Sequence, residues 1–119
     1  MNKAVLIVGH GSRSDKAQET FNQVVEMVKK RLDCLVKGAH MESCKPSIPE
    51  VVKEIVNEDV KEIKVIPYFL YEGIHIKEDI PEILKELSDK YKDVEFKLGK
   101  PIGVEALLAD ILVKRALNI

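Results

Sequence analysis

An uninterrupted apolar run, Ala4 to Val8, is followed directly by the sequence Gly-His-Gly-Ser-Arg at positions 9–13. A run of this kind is typical of a strand that is buried on both faces, in the middle of a parallel sheet. The glycines on either side of His10 allow a sharp turn, which leaves the imidazole at the carboxyl end of the strand. Open α/β sheets bind their ligands at that end of their strands. The run therefore predicts both an α/β fold and the edge of the sheet where a site would lie.

Hydrophobic periodicity predicts three further strands and four helices. Residues 34–39 form a short, interrupted apolar run that suits an edge strand, and residues 63–70 are apolar enough for a central one. Residues 94–98 alternate between apolar and charged side chains, which indicates a strand at the other edge. The helices are predicted to begin at four places: a capping box formed by Asp15 and Gln18, capped starts at Ser47 and Asp79, and Val104.

Right-handed crossovers between these strands lead to one predicted architecture. It is an α/β fold with a four-stranded parallel sheet of order 2-1-3-4 and helices on both faces. A chain of 119 residues has room for one hydrophobic core, so residues 1–119 are predicted to form a single domain. The strand order reverses between strands one and three, and such a switch point opens a crevice for a ligand.

Composition excludes several classes of partner. The chain has 19 basic and 20 acidic residues, so no net charge draws it to nucleic acid or to an anionic membrane. No apolar run is long enough to span a bilayer, and the amino-terminal run is too short for a signal peptide. Cys34 and Cys44 match no metal-ligand spacing and are interpreted as reduced thiols of a cytoplasmic protein.

The chain's three histidines all follow predicted strands. His10 comes after strand one, His40 after strand two, and His75 in the predicted loop of residues 71–77 after strand three. His10 and His75 would flank the switch point, because strands one and three are neighbours. Two neutral imidazoles bind cobalt, nickel or zinc and leave coordination positions open, and they also accept protons near neutral pH. A single loop histidine such as His40 is more often solvated or hydrogen-bonded than functional.

Groups suited to an anionic, partly apolar ligand surround these histidines in the sequence. Ser12, Arg13, Lys45 and Lys77 offer donors and positive charge, and Tyr71 offers an aromatic ring. Two carboxylates lie in the same loops, Glu42 and Glu72, and either one can orient an imidazole or take up a proton.

Several short motifs together resemble the small archaeal sirohydrochlorin metal chelatases. They are residues 8–13 (VGHGSR), 46–49 (PSIP), 65–70 (VIPYFL), 73–75 (GIH) with 79–81 (DIP), and 101–103 (PIG). The resemblance extends over nearly the whole chain. It implies an ATP-independent enzyme that inserts cobalt(II), and in methanogens also nickel(II), into sirohydrochlorin on the way to cobalamin or the nickel tetrapyrrole of methanogenesis. It implies no cofactor beyond the substrate metal.

The resemblance also assigns roles to residues. His10 and His75 match the two histidines that bind the metal, and His10 matches the one that accepts the pyrrole protons. Small members of the family act as symmetric homodimers with the site between the subunits. The contacts to the macrocycle are expected from Lys45 and from the stretch Leu70, Tyr71, Glu72, Gly73, Ile74 and His75.

The sequence departs from the family pattern at two places. Residues 88–93 contain no histidine, whereas some small archaeal relatives carry a histidine-rich insert there. Position 45 is a lysine where relatives have an acidic residue, and a lysine is suited to a substrate carboxylate.

Two other functions are compatible with the sequence. His10 next to Arg13 is conceivable as a phosphate-transfer nucleophile, although a phosphate site needs more than this one nearby arginine. A non-enzymatic metal carrier would use the same histidine pair without turnover. A receiver-like regulatory domain is disfavoured because the ends of strands one and three hold His10 and residues 71–75 rather than a cluster of aspartates.

Overall fold

The computed structural model describes residues 2–119, except for the side chain of His75. Four strands alternate with four α-helices and one π-helical turn. In chain order the elements are β1 (Lys3–Gly9), α1 (Asp15–Lys29), β2 (Leu35–His40), α2 (Ile48–Val56), β3 (Glu62–Pro67), the π-helical turn (His75–Asp79), α3 (Ile80–Lys90), β4 (Glu95–Leu98) and α4 (Ala106–Leu117).

The predicted sheet is confirmed. Its four strands are parallel, with the order β2-β1-β3-β4. In β1, Leu6 and Val8 are fully buried and Ile7 is 6% exposed, as expected for a central strand covered on both faces. The carboxyl ends of β1 and β2 are in register, with Gly9 opposite His40. This register places the loops that follow both strands side by side.

Helices cover the two faces of the sheet unequally. The larger core lies between the sheet and α2 and α3, and it contains Leu6, Val65, Ile55 and Ile80. On the other face, α1 packs over β1 and β2 through Phe21 and Val25. A Cβ atom at Gly38 would lie 2.9 Å from side-chain atoms of both residues, so a glycine in β2 permits this close approach.

The predicted start of α2 is also confirmed. The Ser47 hydroxyl accepts a hydrogen bond from the Glu50 N–H, and the Glu50 carboxylate accepts one from the Ser47 N–H at 2.9 Å. These two bonds form a capping box. The backbone and side-chain hydrogen bonds to Ser47 lower the pKa of Glu50, with a smaller contribution from the charge of Lys45.

Several predicted boundaries are wrong: α4 begins at Ala106 rather than at Val104, and β2 is shifted by one residue, to Leu35–His40. The N-cap of α1 is Ser14, whose hydroxyl accepts from the Ala17 N–H, and the Gln18 side chain instead donates to the Ser12 carbonyl at 2.8 Å. Asp79 has helical backbone angles and its side chain does not cap α3, because a π-helical turn precedes this helix. Strand β3 ends at Pro67 rather than at residue 70.

The early end of β3 has a visible cause in the backbone hydrogen bonds. The carbonyls of Phe69 and Leu70 accept from the N–H groups of Ile102 and Gly103, at 2.8 and 2.9 Å. The Tyr68 N–H still donates to the Val8 carbonyl of β1 at 2.8 Å, and from Phe69 onward the chain pairs with the loop before α4.

Helix α4 does not bury an apolar face against the rest of the chain, as an amphipathic helix of a globular domain normally does. None of residues 106–117, all of them described, is buried. Leu107 is 74% exposed and Leu112 is 69% exposed. Within residues 2–119, no helix combines the length and the apolar character that crossing a bilayer requires.

Candidate functional site

The loop after β2 folds over the turn that carries His10. The Met41 N–H donates to the Gly9 carbonyl at 2.9 Å, and the Glu42 N–H donates to the His10 carbonyl at 3.3 Å. These bonds continue the pairing of β1 and β2 beyond the ends of the strands. Gly11 has φ +102°, and a Cβ atom there would overlap the carbonyl oxygen of Glu42. The second glycine of the Gly-His-Gly turn is therefore needed for both its backbone angle and its lack of a side chain.

An imidazole and a carboxylate meet at the carboxyl end of β1. His10 Nε2 lies 3.8 Å from Glu42 Oε2, and the two side chains are 59% and 62% exposed. The sequence left the role of Glu42 open. Its position two residues beyond β2 could have placed it beside His10, because β2 is the strand next to β1. The pair can hold a cation or take up a proton, since a neutral imidazole and a carboxylate are both metal ligands and bases.

His10 also lines a mainly apolar cavity of about 230 Å³. The rings of His10 and Phe69 meet in a T-shaped arrangement, with the ring centroids 5.8 Å apart and the planes at 69°. Phe69 and Ile76 line this cavity, although the sequence did not single them out. Its lining is His10, Phe69, Leu70, Tyr71, Gly73 and Ile76.

Three of the expected contact residues lie in this lining and others do not. Leu70 and Tyr71 are 50% and 78% exposed, so they present apolar and aromatic surface to a ligand. Ile74 is 72% exposed and Glu72 is exposed, but neither is among the described residues that line the cavity. The wall is therefore an open surface rather than an enclosing pocket.

The polar residues expected around the ligand are more dispersed. The Ser12 hydroxyl accepts a hydrogen bond from the Ser14 N–H at 3.0 Å, which shapes the turn into α1. Arg13 is exposed. Lys45 is exposed near the start of α2, where its charge acts on Glu50. None of these three is among the described residues around the apolar cavity.

The backbone of His75 opens the π-helical turn, and its side chain lies outside the described residues. The N–H groups of Ile76 and Lys77 donate to the Gly73 carbonyl at 3.1 and 3.0 Å, which fixes the start of the turn. No three histidine, cysteine, aspartate or glutamate side chains of the described part form a metal-binding group. The role of His75 as a second ligand thus stays a prediction.

His40 occupies a different position from the other two histidines. It is 4% exposed, and its ring packs against Phe21 with the centroids 4.8 Å apart. It borders a second cavity of about 190 Å³ on the α1 side, shared with His10, Gln18 and Tyr68. Burial lowers the pKa of His40, because the protonated imidazole would lose its hydration there.

We expect this burial to make stability depend on pH. The unfolded chain binds a proton at His40 with an ordinary pKa of about 6.5, whereas the folded chain binds it only at lower pH. The unfolded state therefore holds more protons in that interval, and stability rises with pH. The contribution is complete above about pH 6.5 and is lost as the pH falls through the folded pKa.

Urea unfolding of the wild type and of His40→Phe measures this effect. Between about pH 7.5 and about pH 5, the wild type should lose more unfolding free energy than the variant. Equal losses in the two proteins would show that His40 does not contribute to the pH dependence.

Comparisons with known proteins give one consistent result. Residues 4–119 match the family model described as CbiX. A sirohydrochlorin cobaltochelatase from Methanococcoides burtonii is 33% identical to this chain, and the alignment covers 97% of this chain and 95% of that protein. A sirohydrochlorin ferrochelatase from Priestia megaterium is also 33% identical, with 94% of this chain and 42% of that protein covered.

A solved structure agrees with the sequence matches. The sirohydrochlorin chelatase SirB from Bacillus subtilis subspecies spizizenii, in complex with cobalt, is similar with a TM-score of 0.94 and 31% identity. The match covers 100% of this chain and 51% of that one. This chain is thus similar to the whole of one relative and to about half of two longer ones.

Proposed function

This chain belongs to the CbiX family, and from that membership we propose that it inserts a divalent metal ion into sirohydrochlorin without a nucleotide. The observation that carries the proposal is the position of His10. Its imidazole lies 3.8 Å from the Glu42 carboxylate and also borders an apolar wall formed by Phe69, Leu70 and Tyr71. A base and metal ligand is therefore held at the edge of a surface suited to a flat macrocycle.

The reaction requires that two pyrrole N–H groups lose their protons and that a cation takes their place. His10 is the proposed acceptor of the first proton, because its ring adjoins the apolar wall where the macrocycle would lie. Glu42 offers a carboxylate oxygen to the metal and, once the metal has left His10 for the macrocycle, stabilises the imidazole that takes up the first proton; the second proton passes to solvent, to which both side chains are exposed. His75 is proposed as the second imidazole ligand, on the turn that starts at the same wall.

The macrocycle needs more room than this wall provides. The cavity beside His10 holds about 230 Å³, below the roughly 300–1,000 Å³ of sites that enclose even drug-sized ligands. We therefore propose that a homodimer supplies a second wall. The relatives that this chain half covers support this proposal, because their length allows two such units in one chain.

The proposal includes polar contacts between the protein and the macrocycle. Sirohydrochlorin carries carboxylate side chains. Lys45 and Arg13 are exposed on the loops that follow β2 and β1, and their positive charges suit those carboxylates. We propose that Ser12, Glu72, Gly73 and Ile74 border the bound macrocycle. Both cysteines are free, which is compatible with the proposed cytoplasmic location.

Imidazole and carboxylate ligands impose little selectivity among divalent metals, because their affinities follow the general order. The relatives are named for both cobalt and iron. Cobalt(II) is the proposed substrate, with nickel(II) as a second one.

An anaerobic absorbance assay tests the proposal. Purified protein is mixed with sirohydrochlorin and cobalt(II), nickel(II) or iron(II), without nucleotide, and compared with protein-free mixtures. We expect the spectrum of the metallated macrocycle to appear faster with protein, and fastest with cobalt. A folded protein that binds the metals but accelerates none of the insertions would instead indicate a metal carrier.

A further inference from the structure

The proposed reaction leaves one cavity beside His10 without a ligand. This cavity lies on the α1 side of the sheet, and we call it the α1-side cavity. Its volume is about 190 Å³, which is below the roughly 300–1,000 Å³ of sites that enclose drug-sized ligands. A water molecule takes up roughly 30 Å³. The α1-side cavity is therefore too small for a macrocycle, but it has room for one small polar group and a few water molecules.

The α1-side cavity is lined by a buried histidine whose ring has no hydrogen-bond partner among the described residues. His40 is 4% exposed, and its ring packs against Phe21. Its backbone N–H donates to the Pro46 carbonyl, but its ring nitrogens bond to no described group. No fully buried side-chain nitrogen of the described part lacks a partner. The unbonded ring nitrogens must therefore reach the surface of the cavity, where a neutral imidazole offers one donor and one acceptor.

Other residues that line the α1-side cavity carry donors with unused hydrogens. The Gln18 amide donates one of its two N–H bonds to the Ser12 carbonyl at 2.8 Å, which leaves the second N–H. The Ser12 hydroxyl accepts from the Ser14 N–H at 3.0 Å and keeps its own hydrogen. The Tyr68 hydroxyl forms no hydrogen bond with the described residues. Together with His40, these side chains can donate to a single small ligand.

The charges around the α1-side cavity favour an anionic ligand. No acidic side chain is among its described lining residues. Helix α1 begins at the same turn, with its N-cap at Ser14, and the amino end of a helix carries partial positive charge. Asp15, in the first turn of α1, is exposed and is not part of the lining. Because no lysine or arginine lines the cavity either, its neutral donors suit one negative charge better than the two charges of a phosphate.

We propose that the α1-side cavity binds a carboxylate group, and that an acid side chain of the macrocycle supplies it. His10 lines both this cavity and the apolar cavity beside Phe69. A macrocycle on the apolar wall therefore has part of its rim next to the α1-side cavity. His40 and Gln18 donate to the carboxylate oxygens. The inference rests on the proposed function and adds to it a contact that determines affinity for the macrocycle.

Titration with acetate tests the carboxylate site in the absence of the macrocycle. Protein containing ¹⁵N-labelled histidine is titrated with sodium acetate, and sodium chloride at the same concentrations is the control for ionic strength. Signals that are missing from the spectrum of His40→Phe identify the ring of His40. We expect these signals to shift to saturation with acetate and to stay in place with chloride. A spectrum in which acetate causes no saturable shift at His40 would overturn the proposal.

The insertion assay tests whether the macrocycle supplies the carboxylate. His40→Phe keeps a flat ring but loses both nitrogens, and we expect the KM for sirohydrochlorin to rise about tenfold or more with kcat nearly unchanged. His40→Gln keeps an N–H donor and should recover part of the loss. Tyr68→Phe should also raise the KM. Tyr91→Phe is its matched control, because Tyr91 packs against the core on the other face of the sheet, and it should keep the KM of the wild type.

The outcomes separate this inference from the proposed function. Circular dichroism shows whether each variant is folded, and Tyr68→Phe still tests the site if His40→Phe does not fold. An unchanged KM in the folded variants of His40 and Tyr68 would overturn the assignment to the macrocycle, even if acetate binds. A wild type that binds acetate at His40 but inserts no metal would overturn the proposed function and still support the carboxylate site.

Discussion

Replacing His10 with alanine is expected to lower the rate of metal insertion by about a hundredfold or more, because general-base catalysis commonly contributes that much. The variant loses the imidazole beside the apolar wall and one metal ligand. The fold should be preserved, since the His10 side chain is 59% exposed. The measurement is the anaerobic insertion assay with cobalt(II), together with isothermal titration of cobalt(II) in the absence of the macrocycle. Weaker cobalt binding should accompany the slower insertion.

Glu42→Gln tests whether metal insertion requires the His10–Glu42 pair or only the imidazole of His10. It keeps the shape of the side chain but removes its charge, and we expect insertion to slow by about tenfold or more. Glu86→Gln is the matched control, because Glu86 is an exposed carboxylate on α3. Wild-type insertion rates in both His10→Ala and Glu42→Gln would refute the proposed site. Equal losses of rate in Glu42→Gln and Glu86→Gln would show that the loss comes from the change in the protein's net charge and not from the site.

Gly11→Ala is expected to lower the free energy of unfolding by about 2–5 kcal/mol. A non-glycine residue in the left-handed region costs roughly 1–2 kcal/mol. The new Cβ atom would also overlap the Glu42 carbonyl, and backbone cannot rotate away as a side chain can. Such overpacking typically adds about 1–3 kcal/mol. Because the loop of Glu42 must move to accept the methyl group, insertion activity should also fall.

Gly103→Ala is the control for the Gly11 substitution. Gly103 also has a positive φ, +63°, but its added Cβ would meet nothing closer than the Pro101 carbonyl at 3.9 Å. It should therefore lose only the conformational contribution, roughly 1–2 kcal/mol. Urea unfolding of both variants measures the difference. A loss for Gly11→Ala no greater than that for Gly103→Ala would show that the loop of Glu42 does not press on the turn.

The backbone topology was available from the sequence because local patterns specify it. A continuous apolar run indicates a central strand and an alternating one an edge strand, and right-handed crossovers then leave one strand order, which the structure confirms. The Ser47 capping box is equally local, since its hydrogen bonds join residues three apart. The edge of the sheet that carries His10 follows from the same reasoning.

The arrangement around His10 depended on contacts between distant segments. Glu42 is adjacent to His10 because the β1–β2 pairing continues into their loops, and Phe69 meets the ring from the segment after β3, which the loop before α4 holds by hydrogen bonds. The N-cap at Ser14 and the π-helical turn were likewise missed, because each of several nearby polar residues is a plausible start for a helix.

Helix α4 shows most clearly which properties the sequence determines and which ones the tertiary structure decides. Its sequence determined that residues 106–117 form a helix with many apolar side chains, and that much could be predicted. Whether those side chains are buried depends on where the preceding loop is anchored, and that loop is fixed by hydrogen bonds to Phe69 and Leu70. Propensity and periodicity are properties of neighbouring residues, so they specify elements and their order. Burial and side-chain proximity arise from long-range packing, which only the tertiary structure decides.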